Sequence, residues 1–214
     1  WIRSRDGDIP WPLRRAHRVN ESLGRAIQSP SRLAREYPKS VAEEPRINGW
    51  IGVEEKPVVA SWKIDVQHQG QEGVVTQSLN DLIPLPRYEM TTELKCVEGW
   101  STIVTWGGYR FVDWLNWFGF GQQSGEMYPY VYLATPTEEY YVSLDIATMI
   151  HPQTLLCDTM NDQPLTPGHG GPLRLITTLK YGIKNIKQIG RIAFQHTRPA
   201  DYWAERGYDW FAGH

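Results

Sequence analysis

Cys96 and Glu98 are two side chains of this sequence that could take part in chemistry at one site. A thiolate is a nucleophile and a soft metal ligand. Cys96 stands near the end of a predicted strand, and the residues that follow it are Val97-Glu98-Gly99-Trp100. Side chains two apart in an extended segment share a face, so Glu98 is expected to lie near the thiol, whereas the adjacent Lys95 points away. A buried structural cysteine is the alternative interpretation.

Two glycine-led turns follow in the C-terminal half, and both carry basic side chains. The first, LTPGHGGPL at 165–173, leads directly into Arg174. The second, GIKNIK at 182–187, contains Lys184 and Lys187. Glycine allows backbone N–H groups to approach a ligand closely, and a guanidinium can bind phosphate through two parallel hydrogen bonds. Each turn alone is a weak indication, but together they favour an anion site.

The charge distribution supports that interpretation without deciding it. Residues 168–198 contain six Lys or Arg and no Asp or Glu. The rest of the chain then has 16 basic against 24 acidic residues, because the whole chain has 22 and 24. Such a basic run predicts either a solvated face or a pocket for a small anion. The overall net charge of −2 argues against a nucleic-acid-binding protein.

The cysteine and histidine spacing excludes a typical zinc site. The two cysteines are 61 residues apart without a CxxC partner, and the six histidines form no HxxxH pair. Cys157 lies in an apolar run and is expected to be an inert buried thiol. No stretch of about 20 apolar residues is present. The chain begins at Trp1, so we expect a trimmed or processed form from which a targeting segment is absent.

Short strands dominate the predicted elements, a pattern typical of an α+β fold. Helices are predicted near Asn20 as N-cap with Pro30 as breaker, at 111–118, and at 143–150 with Ser143 as N-cap. Strands are predicted at 62–67, 73–76, 88–97, 130–134, 173–177 and 186–194, with a capped turn at 78–82. We expect residues 1–45 to be an N-terminal extension whose one helix packs on the core, and residues 46–214 to be the main domain.

The order of the motifs resembles a known family. CVEGWS at 96–101, a strand ending at Thr135, a helix ending in His151-Pro152, LTPGHGGPLR at 165–174 and KYGIKNIK at 180–187 follow one another. This succession is similar to that of sulfite-oxidase-fold molybdopterin-dependent oxidoreductases. It is most similar to the catalytic subunit of the bacterial periplasmic protein-methionine-sulfoxide reductase, over 91–194. The resemblance implies a sulfite-oxidase-type fold with mixed β-sheets and short helices, and a molybdenum-molybdopterin (Mo-MPT) cofactor.

The resemblance also implies roles for individual residues. Cys96 would be the thiolate ligand of molybdenum, with the other sulfurs supplied by the pterin dithiolene. His169 stands where the reductases have asparagine and the sulfite oxidases have histidine. The residues that the resemblance places against the cofactor are Asn20, Leu23, Cys96, Thr135, His169, Arg174, Asn185, Ile186 and Lys187, with Arg174 and Lys187 at the pterin phosphate.

The segment after Cys96 predicts the kind of substrate. Sulfite oxidases carry paired arginines there, whereas Glu98 and Trp100 would repel a dianion and leave its desolvation uncompensated. We therefore expect reduction of S-oxides, with protein methionine sulfoxide as first candidate, or of N-oxides. An oxidase or dehydrogenase of another small substrate such as sulfite, and a catalytically silent cofactor-binding protein, stay open.

The resemblance and the motifs also predict the partners. The sequence contains no CxxCH haem motif, so electrons are expected from a separate donor protein. The resemblance implies that this donor is a membrane haem protein and that the location is periplasmic or extracytoplasmic.

Overall fold

The computed structural model describes residues 5–6 and 9–214. Within them lie three α-helices: α1 over Trp11–Ile27, α2 over Phe111–Phe118 and α3 over Ile146–Met149. None of these helices is long and apolar enough to cross a membrane. Most of the regular structure is β-strand, in two five-stranded sheets and two short hairpins. The predicted α+β class is therefore confirmed.

The strands are β1 Arg5–Asp6, β2 Ile9–Pro10, β3 Lys63–His68, β4 Val75–Ser78, β5 Arg87–Lys95, β6 Ser101–Arg110, β7 Gln122–Gln123, β8 Glu126–Met127, β9 Tyr130–Ala134, β10 Tyr141–Asp145, β11 Thr154–Met160, β12 Gln163–Pro164, β13 Arg174–Thr177 and β14 Arg191–Gln195. The first sheet has the order β10-β9-β14-β3-β4, and the pair β14–β3 is parallel. The second has the order β12-β11-β6-β5, with β13 paired to β11, and is antiparallel.

Two apolar clusters form the core. The larger one includes α2 and the inner face of the first sheet, and the indole of its Trp114 donates to the buried Gln77 Oε1 at 2.8 Å. The smaller one belongs to the second sheet and contains Trp106 and Cys157. Burial raises the pKa of Cys157 to about 12, so this thiol stays protonated near neutral pH. The predicted burial of the Cys157 thiol is confirmed.

Three predicted element boundaries were wrong. Helix α1 begins at Trp11, so Asn20 lies in its middle and caps nothing; Pro12 fits in the first turn because its missing N–H needs no partner there. Ser143 belongs to β10, and Asp145 instead caps α3 by accepting from the Thr148 N–H at 2.8 Å. The strand predicted at 186–194 is regular only from Arg191. The strands β6 and β11 were not predicted, whereas α2 was predicted with its observed bounds.

Helix α1 is held on the C-terminal segment by few contacts, and none of its residues is fully buried. Just after its end, Gln28 Nε2 donates to Thr148 Oγ1 at 3.0 Å, and Glu21 forms an ion pair with Arg198. Gly24 lies directly against Phe211, since a Cβ at Gly24 would be 2.1 Å from Phe211 Cε1. This helix contacts the main body of the fold, while the division of the chain at residue 46 stays a prediction.

Replacement of Gly24 tests that contact. Alanine would favour an isolated helix by about 1 kcal/mol, but here its methyl group would collide with a buried ring, at a cost of about 1–3 kcal/mol. We expect Gly24→Ala to lower the melting temperature by a few degrees, measured by circular dichroism. Ser22→Ala, on the exposed side of the same helix, is the control. A Gly24→Ala melting temperature equal to or above that of the wild type would contradict this packing.

Candidate active site

The hairpin between β5 and β6 presents Cys96. The Cys96 N–H donates to the Trp100 carbonyl at 2.9 Å, and the Gly99 N–H donates back to the Cys96 carbonyl at 3.1 Å. Gly99 adopts φ 85°, which favours glycine at this position of the turn. The side chain of Cys96 is partly exposed, in contrast to that of Cys157. The two cysteines of the chain thus occupy opposite environments.

Three polar side chains surround the thiol. Glu98 Oε2 accepts from the Trp100 indole at 2.9 Å and from Asn48 Nδ2 at 3.3 Å. The same Asn48 nitrogen lies 4.0 Å from Cys96 Sγ. These hydrogen bonds, that of Trp100 foremost, lower the pKa of Glu98. The side chain is therefore a carboxylate at neutral pH. Arg46 stacks over Trp100, its Cζ 5.2 Å from the ring centroid.

A cavity of about 310 Å³ extends from this cluster to the two glycine-led turns. Its walls include six of the residues that the sequence analysis singled out: Cys96, Glu98, His169, Arg174, Asn185 and Lys187. The turn at 167–170 and the turn at 182–185 meet because Gly170, with φ 99°, has no side chain. A Cβ at Gly170 would lie 2.9 Å from Cβ and Cγ of Lys187. Glycine is thus required for the two turns to close one end of the cavity.

Arg174 is a buried cation at that end. Its Nη1 donates to the His169 carbonyl at 2.7 Å and its Nη2 to the Asn185 carbonyl at 3.0 Å. Among the described residues its Nε has no hydrogen-bond partner, and the guanidinium forms no ion pair. Burial lowers the pKa of Arg174 to about 10, so it still carries its charge near neutral pH. A buried, charged donor without a carboxylate is a strong site for an anion.

Lys187 lies beside it and also donates only to carbonyl oxygens. Its Nζ is 2.7 Å from the carbonyl oxygen of Asn48, 2.9 Å from that of Gly49 and 2.6 Å from that of Gly168. Burial and the charge of Arg174 lower the pKa of Lys187 to about 7. An anion at this position would favour the charged form and reverse that shift. Lys187 therefore joins the Asn48 loop to the glycine turn with all three of its N–H donors, and its charge lies at the same end of the cavity as Arg174.

His169 is buried in the same turn, and its Nε2 lies 3.2 Å from Glu44 Oε1. Burial lowers the pKa of His169. The ring is therefore held next to Arg174 without adding a second full charge there at neutral pH.

Four predicted cofactor residues do not line this cavity. Thr135 is fully buried, its hydroxyl 3.3 Å from the Tyr140 backbone and packed against Gly52. The side chain of Ile186 belongs to the main core. Asn20 and Leu23 lie on α1 and line a separate cavity, so their contact with the cofactor stays a prediction; the asparagine beside Cys96 is Asn48.

Asn48 and Arg46 were missed by sequence reasoning. Asn48-Gly49 is a typical turn dipeptide, and Gly49 has φ 75°. That signal predicts a turn but not the partner of the turn, which is fixed by Lys187, 139 residues away along the chain. Arg46 carries no motif at all.

The basic run proves to have two parts. Lys180 and Lys184 form buried ion pairs with Asp145 and Asp201, while Arg191 and Arg198 pair with Glu138 and Glu21. Only Arg174 and Lys187 face the cavity without an acidic partner among the described residues. The run is therefore neither a solvated face nor a single anion pocket, and two of its six cations can serve an anion.

Comparison with known proteins assigns this arrangement. The family model described as oxidoreductase molybdopterin binding domain matches residues 51–203. The chain belongs to this family. It is a molybdopterin-dependent oxidoreductase, and Mo-MPT is its cofactor. The pocket fits such a group, because a partly exposed thiol lies at one end and two cations without acidic partners lie at the other.

Relatives and one solved structure agree with the family. The chain is 32% identical to a protein of Azospira oryzae that carries the name protein-methionine-sulfoxide reductase subunit YedZ1, over 97% of this chain and 78% of that one. It is also 32% identical to the protein-methionine-sulfoxide reductase catalytic subunit MsrP of Campylobacter jejuni, over 67% of this chain. The chain spans about half of that relative, 52%.

The solved structure is the sulfane dehydrogenase SoxCD from Paracoccus pantotrophus. It is 15% identical with a TM-score of 0.58, and the match covers 79% of this chain and 46% of that one. At this identity the likeness concerns the fold alone. Together with the family match it confirms the predicted molybdopterin-binding fold.

Replacement of Arg174 tests the cation end of the pocket. Loss of a charged hydrogen bond to a buried phosphate costs roughly 2–5 kcal/mol, so Arg174→Ala is expected to purify with clearly less molybdenum per chain. Arg191→Ala, which removes an arginine of the same run outside the pocket, is the matched control. Molybdenum content is measured by mass spectrometry of the metal. Full occupancy in Arg174→Ala would place this arginine at the substrate instead.

Proposed function

We propose that this protein reduces S-oxides by oxygen-atom transfer, with protein-bound methionine sulfoxide as first candidate substrate and N-oxides as related ones. The observation that carries the proposal is the carboxylate of Glu98, held beside Cys96 by Trp100 and Asn48. A neutral, partly apolar oxide suits this end of the pocket, whereas a dianion would be repelled. The names of the Azospira and Campylobacter relatives point in the same direction.

Cys96 is proposed as the one protein ligand of molybdenum. Within the described residues, no group of three or more His, Cys, Asp or Glu could hold a metal ion. The remaining sulfur ligands would come from the pterin dithiolene. When bound, this group supplies two-electron oxygen-atom transfer, while the protein supplies a ligand, orientation and electrostatics.

The cation end would hold the pterin phosphate. Arg174 and Lys187 would bind it directly, Arg174 through the N–H that has no protein partner. Asn185 would position them, because its carbonyl accepts from Arg174 and its Oδ1 accepts from the Thr177 N–H at 2.9 Å. Ile186 would contribute through its main chain, and Thr135 through its packing on the loop at 52.

Glu98 and Asn48 would act on the substrate side. Reduction of a sulfoxide to a sulfide takes two electrons and two protons and releases water. Glu98 is exposed at the mouth of the pocket and can exchange protons with solvent. Its lowered pKa means that it holds a proton only transiently. Asn48 fixes the carboxylate and lies close enough to Cys96 to orient both side chains.

Arg46 favours the second candidate function, oxidation of a small anion such as sulfite, because it brings one positive charge to the mouth of the pocket. A single arginine balanced by Glu98 does not reproduce the paired arginines that sulfite needs, so reduction is the better-supported reaction.

Electrons are proposed to come from a separate donor protein, with a membrane haem protein as first candidate. The chain has no haem-attachment motif of its own. The family resemblance supports a periplasmic or extracytoplasmic location for this exchange.

Replacement of Cys96 tests the function directly. Cys96→Ser puts a hard oxygen in place of a soft thiolate, and loss of a direct ligand should exceed the 10–100-fold cost typical of residues behind a ligand. We expect reduction of methionine sulfoxide by a reduced viologen dye to fall more than about 100-fold. Cys157→Ser, the other cysteine, is the control and should keep its rate. Comparable rates in wild type and Cys96→Ser would refute the assignment.

Substrate charge is tested with Glu98→Gln. If Glu98 only shapes the pocket and relays protons that solvent also supplies, sulfoxide reduction should fall less than about tenfold, whereas an obligatory general acid would cost about 100-fold or more. Neither wild type nor variant should oxidise sulfite with an artificial acceptor, because one removed carboxylate leaves Arg46 as a lone cation. Glu126→Gln, outside the pocket, is the control. Robust sulfite oxidation by the wild type would overturn the proposed direction.

A further inference from the structure

A second cavity adjoins the active site. It encloses about 670 Å³ and lies between the C-terminal half of α1, the segment at 178–183 and the segment at 208–214. Four residues line both this cavity and the pocket of Cys96: Lys95, Val97, Ile183 and Tyr208. We call the second cavity the α1 groove. These four residues form a shared border between the groove and the pocket.

The α1 groove has an exposed apolar wall. An amphipathic helix normally buries its apolar stripe in the core. Here Asn20, Leu23, Gly24 and Ile27, spaced three and four apart on one face of α1, line the groove, and Leu23 and Ile27 remain 61% and 53% exposed. Leu33, beyond the helix, adds a third exposed aliphatic side chain at 54%. The apolar face of the helix therefore lies towards the groove and not towards the core.

Three contacts hold α1 and its end against the rest of the fold. Glu21 pairs with Arg198, Gly24 packs against Phe211, and Gln28 donates to Thr148. Gly24, Gln28 and Phe211 also line the groove, where the ammonium of Lys180 lies 2.9 Å from the centroid of the Phe211 ring. The exposed aliphatic side chains therefore lie beside the contacts that position the helix.

We infer that the α1 groove binds the polypeptide that flanks an oxidised methionine in a protein substrate. The inference rests on the proposed sulfoxide reduction. A methionine sulfoxide that reaches Cys96 is attached to chain on both sides, and this chain must lie against the surface next to the pocket. The groove shares four lining residues with the pocket, encloses about twice its volume and is partly apolar. Aliphatic residues of an unfolded segment can pack against such a surface.

The exposed apolar stripe of α1 continues beyond the groove. This extension provides a control that distinguishes a polypeptide from a membrane surface as the occupant. Leu13 and Val19 are 41% and 50% exposed on the same helix but do not line the groove. A lipid surface would contact the whole stripe, whereas a peptide in the groove would contact only its C-terminal part. Leu13 and Val19 therefore serve as a matched control for the aliphatic residues that line the groove.

The test compares two double variants that each remove two exposed aliphatic side chains. Ile27→Gln with Leu33→Gln alters the groove, and Leu13→Gln with Val19→Gln alters the stripe outside it. A fluorescent peptide that carries methionine sulfoxide between aliphatic residues is titrated with each holoenzyme, and its Kd is measured by fluorescence polarisation. Dye-linked turnover of oxidised protein and of free methionine sulfoxide is measured in parallel. Circular dichroism and molybdenum content check that both variants are intact.

We expect the groove variant to weaken peptide binding and raise KM for oxidised protein tenfold or more, which corresponds to about 1.4 kcal/mol. Its turnover of free methionine sulfoxide should stay within twofold of wild type, as should every value of the control variant. Equal peptide affinity in wild type and both variants overturns the inference. Equal losses in both variants, together with loss of binding to anionic phospholipid vesicles, overturn it in favour of a membrane contact.

Failure of the proposed function gives a different result. In that case the wild type reduces neither free nor protein-bound methionine sulfoxide. Peptide binding still tests the inference about the α1 groove. Affinity lost in the groove variant alone supports a polypeptide site, and absence of peptide binding to the wild type overturns the inference.

Discussion

The pocket depends on a buried arginine and a partly buried lysine that donate to backbone carbonyls instead of pairing with carboxylates. Lys187 holds the carbonyls of Asn48, Gly49 and Gly168, and Arg174 holds those of His169 and Asn185. Through these bonds three segments remote in sequence meet at one place. Burial of a charge without a counter-ion is costly, and carbonyl dipoles compensate it only in part. The fold thus keeps positive charge available for an anion that it does not itself contain.

The other lysines of the same basic run form ion pairs with aspartates instead. Lys184 donates to Asp201 and to the Ser143 carbonyl, and Lys180 lies 3.7 Å from Asp145. These pairs neutralise each other and stabilise the packing of the C-terminal segment on β10 and α3. The lysines therefore differ in partner and in burial: Lys180 and Lys184 are buried against aspartates, whereas Lys187 is partly exposed and donates to backbone carbonyls.

The same distinction between local and long-range partners explains how much of the fold and the site could be predicted from the sequence. Local signals were sufficient where the answer was local: α2 over Phe111–Phe118 and the capped turn at Ser78 with Asp81. The segment at 96–98 was predicted as extended, but the strand ends at Lys95 and a turn follows. Both glycine-led turns were recognised because glycine and basic residues are adjacent in sequence. Asn48 could not be found in this way, because only a lysine 139 residues distant gives it a position. Asn20, which the resemblance places at the cofactor, lies within α1 and lines a different cavity.

The two ends of the pocket differ in charge, and this difference bears on the direction of the reaction. The cation end suits a permanently anionic group, whereas the thiol end carries Glu98, whose carboxylate is stabilised by neutral donors, Trp100 and Asn48. These neutral donors stabilise the Glu98 carboxylate without cancelling its charge, and the guanidinium of Arg46 lies over the ring of Trp100. With the cofactor placed as proposed, an anionic substrate would be attracted to the end assigned to the pterin phosphate and repelled from the carboxylate beside Cys96. A neutral oxide would experience neither force, and its binding would depend on shape and on the apolar surfaces near Cys96. The charge separation proposed to hold the cofactor would thus also favour a neutral substrate.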